Sequence, residues 1–140
     1  MPVEISAGAI VFRRQEKKIN YLLLHYESGH WDFAKGNVER GEEAKETVLR
    51  EIEEETGIKD ARFIEGFKEE ISYFYKRAGK TIYKKVIFFL AETLTERVEL
   101  SYEHIDYGWL GYEEALERLT YKNAKEVLKK ADAFLSSHPA

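Results

Sequence analysis

Hydrophobic residues along this chain switch between two periods, and the switches mark out its elements. Val3 to Arg13 is rich in β-formers and partly alternating, with the small residues Ala7, Gly8 and Ala9 at its middle. Ile19 to Tyr26 (INYLLLHY) reads as a buried strand, and the charged run from Arg13 to Lys18 as the hairpin turn before it. Trp31 and Phe33 begin a short extended piece. From Ala44 to Thr56 the period becomes helical, and Val48, Leu49 and Ile52 form an apolar stripe that would seat this helix on a core. Ala61 to Tyr75 is extended again, with a bend near Gly66. Arg77 to Lys80 reads as a hairpin loop, Thr81 to Glu92 as the returning strand, and Asp106 to Leu110 as a last short strand. Tyr112 to Leu119 is a short helix. Asn123 with Glu126 resembles a capping box opening a final helix, whose Ala124, Val127, Leu128, Ala131, Phe134 and Leu135 recur at helical spacing. Strands mixed with a few helices predict an α+β fold, a sheet with helices packed on it.

Composition narrows the class. At 140 residues the chain suits one domain, 1–140, large enough for a core without staples. There is no cysteine, so disulfides, thiolate metal sites and a cysteine nucleophile are excluded. The opening MPVEISAGAIVFRR lacks the basic-then-apolar layout of a signal peptide, and no apolar run approaches a membrane span, so a cytoplasmic location and no membrane partner are expected. A net charge of −4 without a basic stripe argues against duplex nucleic acid as partner. Abundant Glu and Lys beside one Gln and three Asn resemble a thermophile's surface chemistry.

The chemistry concentrates on the first helix. Glu51, Glu54 and Glu55 are three and four residues apart, so they share a helical arc of roughly 100°. Glu51 and Glu55 form a like-charge pair that weakens an isolated helix by a few tenths of a kcal/mol. A solvated face is the ordinary reading of acidic residues in a chain with 22 Glu. A hard divalent cation with oxygen ligands is the reading that accounts for the crowding. Ala44 and Thr47 lie on the same arc as small residues, while Glu46 and Arg50 suggest an ordinary ion pair facing away.

The flanks extend this into a pattern. Gly36, Glu42, Arg50, Glu51, Ile52, Glu54, Glu55, Gly57 and Ile58 fit G-x5-E-x7-R-E-U-x-E-E-x-G-U, where U is a bulky aliphatic. With this composition, such a match arises by chance at about 10⁻⁸ per starting position. Gly36 and Gly41 would leave the loop free of side-chain bulk, and Gly57 with Ile58 reads as a helix stop with its hydrophobic contact. The pattern resembles the box of the Nudix hydrolases. That resemblance implies an αβα sandwich with a mixed central sheet and cleavage of a pyrophosphate bond with Mg²⁺, or Mn²⁺, as cofactor.

Three further segments, His30 to Gly36, Phe88 to Glu92 and Leu100 to Leu116, resemble the asymmetrically cleaving diadenosine tetraphosphate hydrolases of that family. One position departs: Ala34 stands where that group usually has Pro. The resemblance implies that Gly36 offers a backbone carbonyl to metal, that Glu51, Glu54, Glu55 and Glu103 offer carboxylates, that Arg50 holds Glu51, and that Glu42 supports the loop. It also implies that His30, Lys35 and Lys84 face a polyphosphate and that Tyr75 and Tyr121 sandwich an adenine; His104 is read as structural. The base stays open among Glu51, Glu55 and Glu103. A nucleotide is the expected partner, for a monomer or small homo-oligomer. Two other functions stay open: another Nudix substrate (a nucleoside triphosphate, a nucleoside diphosphate sugar or a 5′-triphosphate RNA end) and a non-catalytic nucleotide-binding module.

Overall fold

The structure, a computed structural model, describes residues 1–138. Strand β1 (Val3–Gln15) runs through the middle of one mixed sheet. Ser6 to Phe12 are buried without a break, as expected of a strand covered on both faces. On one side β1 pairs antiparallel with β2 (Lys18–Tyr26), which carries β3 (Trp31–Asp32) and β8 (His104–Leu110). On the other it pairs parallel with β7 (Lys80–Glu92), which carries β5 (Arg62–Phe63) and β6 (Glu69–Arg77). The short β4 (Ala34–Asn37) lies antiparallel against β1, with Gly36 opposite Ala7.

Helices cover both faces. Helix α1 (Ala44–Thr56) seats Val48 and Ile52 on Ala7, Ala9 and Leu22. Helices α2 (Tyr112–Arg118) and α3 (Lys122–Ser137) cover the other face, where Val127, Leu128, Ala131 and Leu135 meet Ile10, Phe12, Phe88 and Leu90. The architecture is the α+β, αβα sandwich with a mixed sheet that the sequence predicts. Among the described residues no helix is long and apolar enough to cross a membrane.

Four local expectations are corrected. The run Arg13–Lys18 is mostly strand, and the turn is made by Glu16 in the left-handed region (φ 58°) with Lys17. Leu49 does not join the apolar stripe of the first helix but is exposed, whereas the expected bend near Gly66 (φ 95°) is present and separates β5 from β6. The final strand begins two residues early, at His104, which pairs beside Tyr26. The capping box at Asn123 does not form: α3 starts at Lys122 with Tyr121 as its N-cap, and Asn123 faces a cavity.

Candidate active site

Helix α1 is fixed at both ends. At its start, the Glu46 carboxylate accepts the Glu43 backbone N–H at 2.8 Å, which meets one of the orphan donors of a helix N-terminus. At its end, Gly57 adopts φ 76° and donates its N–H to the Glu53 carbonyl at 2.8 Å, and Ile58 turns into the core. Because Glu46 serves the cap, its expected ion pair with Arg50 is absent.

Arg50 turns the other way and organises the carboxylates. It forks onto Glu42 at 2.7 Å (Nε) and 3.0 Å (Nη2), and its Nη1 donates to Glu51 Oε2 at 2.7 Å. Glu54 is a longer partner at 3.3 Å, and Nη2 also reaches the Asn37 carbonyl at 3.1 Å. Glu42 further accepts the Thr47 hydroxyl at 2.6 Å and the Glu39 N–H at 3.0 Å. The Arg50, Thr47 and Glu39 hydrogen bonds hold the Glu42 pKa down at about 2. These hydrogen bonds tie the loop residue Glu42 to helix α1.

Glu51 lies directly on the backbone of Gly36. A Cβ on Gly36 would stand 2.2 Å from Glu51 Cδ, so only glycine leaves room for this carboxylate. Glu55 is buried deeper. Its Oε1 lies 3.3 Å from the Tyr26 hydroxyl and 3.1 Å from His104 Nε2, while its Oε2 is buried with no hydrogen-bond partner. Burial and the neighbouring Glu55 push Glu51 up to about 8. Burial pushes Glu55 up to about 7, and the nearby charge of Glu103 adds to this. Glu103 itself is exposed on the loop before β8.

Among the described residues, no three Asp, Glu or His side chains converge into a preformed cation cluster. The residues nonetheless fit a hard divalent cation. They supply only oxygen donors, they include an orphaned buried carboxylate oxygen on Glu55, and the Gly36 backbone is bare beside Glu51.

A cavity of about 490 Å³ opens on the other helical face, lined by His30, Lys35, Tyr73, Phe88, Tyr121 and Asn123, among others. The His30 ring joins it to the glutamates: it stacks on Tyr26 at 4.5 Å and meets Tyr121 at 5.3 Å. Lys35 is paired with buried Asp32 at 3.0 Å. Burial pulls the Lys35 pKa down, but Asp32 outweighs it and the net shift is upward. Lys84 lies apart from the cavity, 3.0 Å from Asn37 Oδ1, so Lys84 and Arg50 both hold Asn37 beside Gly36. His104 is buried behind Glu55, with Nδ1 3.0 Å from the Ser101 hydroxyl, and burial holds its pKa down.

Tyr75 is not part of the cavity wall; its hydroxyl donates to Glu4 at 2.5 Å. Tyr73, two residues earlier on the same face of β6, stands in the cavity with Tyr121. Sequence reasoning also passed over Tyr26, Asp32 and Asn37. The alternation Ile71-Ser72-Tyr73-Phe74-Tyr75 carried a usable signal, since it puts three odd-numbered residues on one face.

The chain is similar to known proteins over nearly its whole length. The NUDIX domain family model matches residues 2–131. The chain is 42% identical to the mouse bis(5′-nucleosyl)-tetraphosphatase (asymmetrical), over 96% of this chain and 97% of the relative. It is 32% identical to the Caenorhabditis elegans enzyme of the same name, over 94% and 96%. A crystal structure of a C. elegans Ap4A hydrolase binary complex superposes with a TM-score of 0.80 at 30% identity, covering 96% of this chain and 98% of that one.

Proposed function

The chain belongs to the Nudix family, and on that premise we propose that it is a divalent-cation-dependent hydrolase that cleaves diadenosine tetraphosphate asymmetrically into ATP and AMP. The observation that carries this reading is the line Tyr121–His30–Tyr26–Glu55, which runs from a nucleoside-sized cavity to the glutamate helix. A base seated in the cavity would send its phosphates along that line. The near full-length similarity to asymmetrical tetraphosphatases supports the choice of substrate.

Glu51, Glu54, Glu55 and the Gly36 carbonyl would hold Mg²⁺ or Mn²⁺, with Glu103 joining from its loop. The bound cation would supply neutralisation of the polyphosphate and a lowered pKa for attacking water. Arg50 would keep Glu51 in place against the repulsion of Glu55, through a charge-assisted hydrogen bond that itself rests on Glu42. Glu51, Glu55 or Glu103 would take the proton of the attacking water; Glu51 and Glu55 are held above the usual carboxylate range, which suits proton transfer near neutral pH. A bond then forms from water oxygen to phosphorus as the bridging oxygen leaves with its electron pair. Lys35 and His30, which line the cavity, and Lys84, beside Asn37, would stabilise charge on the phosphate oxygens. A cysteine-free chain also suits the reducing cytoplasm.

Hydrolysis in ¹⁸O water with product analysis tests the proposal. ATP and AMP, with label in one of them, are expected; two ADP molecules, or preference for a simple nucleoside triphosphate, would overturn the substrate assignment.

A further inference from the structure

Strand β6 is an edge: among the described residues it pairs with β7 alone. The hairpin closes between Arg77 and Lys80 on Ala78 (φ 52°) and Gly79 (φ 77°). Two successive positive φ values make a type I′ turn, whose flanking residues exchange both backbone hydrogen bonds. Odd-numbered residues of β6 therefore turn their N–H and C=O groups toward β7. Glu70, Ser72, Phe74 and Lys76 turn theirs outward, where they meet no strand. A nine-residue edge of this kind ordinarily invites pairing with another chain.

The side chains say which chain. The strand reads Glu69-Glu70-Ile71-Ser72-Tyr73-Phe74-Tyr75-Lys76-Arg77, acidic at one end and basic at the other. Turned antiparallel on a copy of itself about Tyr73, it sets Glu70 opposite Lys76 and Ser72 opposite Phe74. Glu69 falls opposite Arg77 at the ends, where each already has an ion partner in its own chain, Lys130 and Glu4. The same centre brings the outward backbone groups into hydrogen-bonded pairs, because the even-numbered residues meet one another. Other registers fail. A shift of one residue sets outward groups against inward ones, and a shift of two puts Lys76 opposite Lys68 or Ser72, leaving its charge repelled or unmatched.

We propose that β6 pairs antiparallel with β6 of a second copy of this chain, across a two-fold axis at Tyr73, so that two sheets become one. Phe74, 61% exposed in the single chain, then lies diagonal to the partner's Phe74 and within reach of it. On the opposite face Tyr73 stands beside the partner's Tyr73. Since Tyr73 also lines the cavity, the two cavities share a seam.

Sedimentation equilibrium of the full chain from about 1 μM to about 1 mM tests this. The mass should rise from 16.4 kDa toward twice that value. Glu70→Lys and Lys76→Glu each set like charges opposite at two places and should weaken association at least about tenfold. The double variant E70K/K76E restores opposite charges and should associate like the parent. Ser72→Pro removes an outward N–H while sparing the β7 ladder, and should abolish association with an unchanged circular dichroism spectrum. A monomer throughout the range, a double variant as weak as the singles, or an S72P chain that still dimerises would each overturn the proposal.

Discussion

Arg50 and Glu42 form a forked ion pair across the loop before α1, with Nε–Oε2 at 2.7 Å and Nη2–Oε1 at 3.0 Å. The fork fixes the guanidinium plane and so aims Nη1 at Glu51. A lysine keeps the charge but cannot hold both carboxylates at once. Arg50→Lys should therefore lower kcat by about 10–100-fold, the usual effect of losing a partner that orients a ligand. KM should change much less. Equal loss in both parameters, traced to unfolding by circular dichroism, would remove the positioning role.

Gly36→Ala tests the cradle directly. The added methyl would sit 2.2 Å from Glu51 Cδ, so the carboxylate must move or β4 must shift. Overpacking of this kind costs about 1–3 kcal/mol. The fold should survive that cost, while cation affinity and kcat should both drop sharply. A variant with parent-like Mg²⁺ dependence would mean that Glu51 does not work from this position.

Much of this site was legible from residue spacing because its elements are local. The three glutamates share an arc by helical period alone, and Gly57 announces the helix end by the conformation it must adopt. The partners of Arg50 were not legible from spacing, although the family resemblance pointed to Glu51. Glu46 is the right distance along the helix, but the cap at Glu43 claims it, leaving Arg50 to a loop residue. Tyr121 does line the cavity, but Tyr75 was misplaced for a different reason. Alternation selects a face of β6 and not a position along it, so Tyr73 and Tyr75 are equivalent until α3 and the β3–β4 segment are folded over one of them. Edge status has the same character, since the charge order of β6 can be read in the chain but its lack of a second neighbour cannot.

The raised carboxylates couple stability, pH and cation binding. Glu51 at about 8 and Glu55 at about 7 bind protons more tightly folded than at the ordinary value of 4.5. Their contribution to stability is thus fully present below that ordinary value and is lost as pH rises through the folded values. A cation displaces those protons and binds better as pH rises. Without divalent ions, the melting temperature should fall between about pH 5 and about pH 8.5, and the increment given by Mg²⁺ should be larger at the upper end. Glu51→Gln should flatten that dependence. An Mg²⁺ increment that is the same at both ends would contradict the coupling.

The cavity predicts a split between tyrosines. If adenine sits in it, Tyr73 and Tyr121 present their rings to the base, whereas the Tyr75 hydroxyl is engaged with Glu4 near the hairpin. Base–aromatic stacking contributes about 1–3 kcal/mol, which corresponds to a KM change of about 5–150-fold. Tyr121→Ala and Tyr73→Ala should therefore raise KM for diadenosine tetraphosphate within that range. Tyr75→Phe, which removes only the hydroxyl, should leave KM within about twofold. Binding energy from the remote nucleoside is also used to position the scissile phosphorus, so kcat should fall with the two alanine variants. Hydrolysis of a bare inorganic polyphosphate, which has no base to stack, should be nearly unaffected. Steady-state kinetics on both substrates separates the outcomes. A Tyr75 variant that loses as much as Tyr121→Ala would move the base toward the β6–β7 hairpin. Equal losses on the two substrates would mean that the tyrosines support the fold and do not hold the nucleotide.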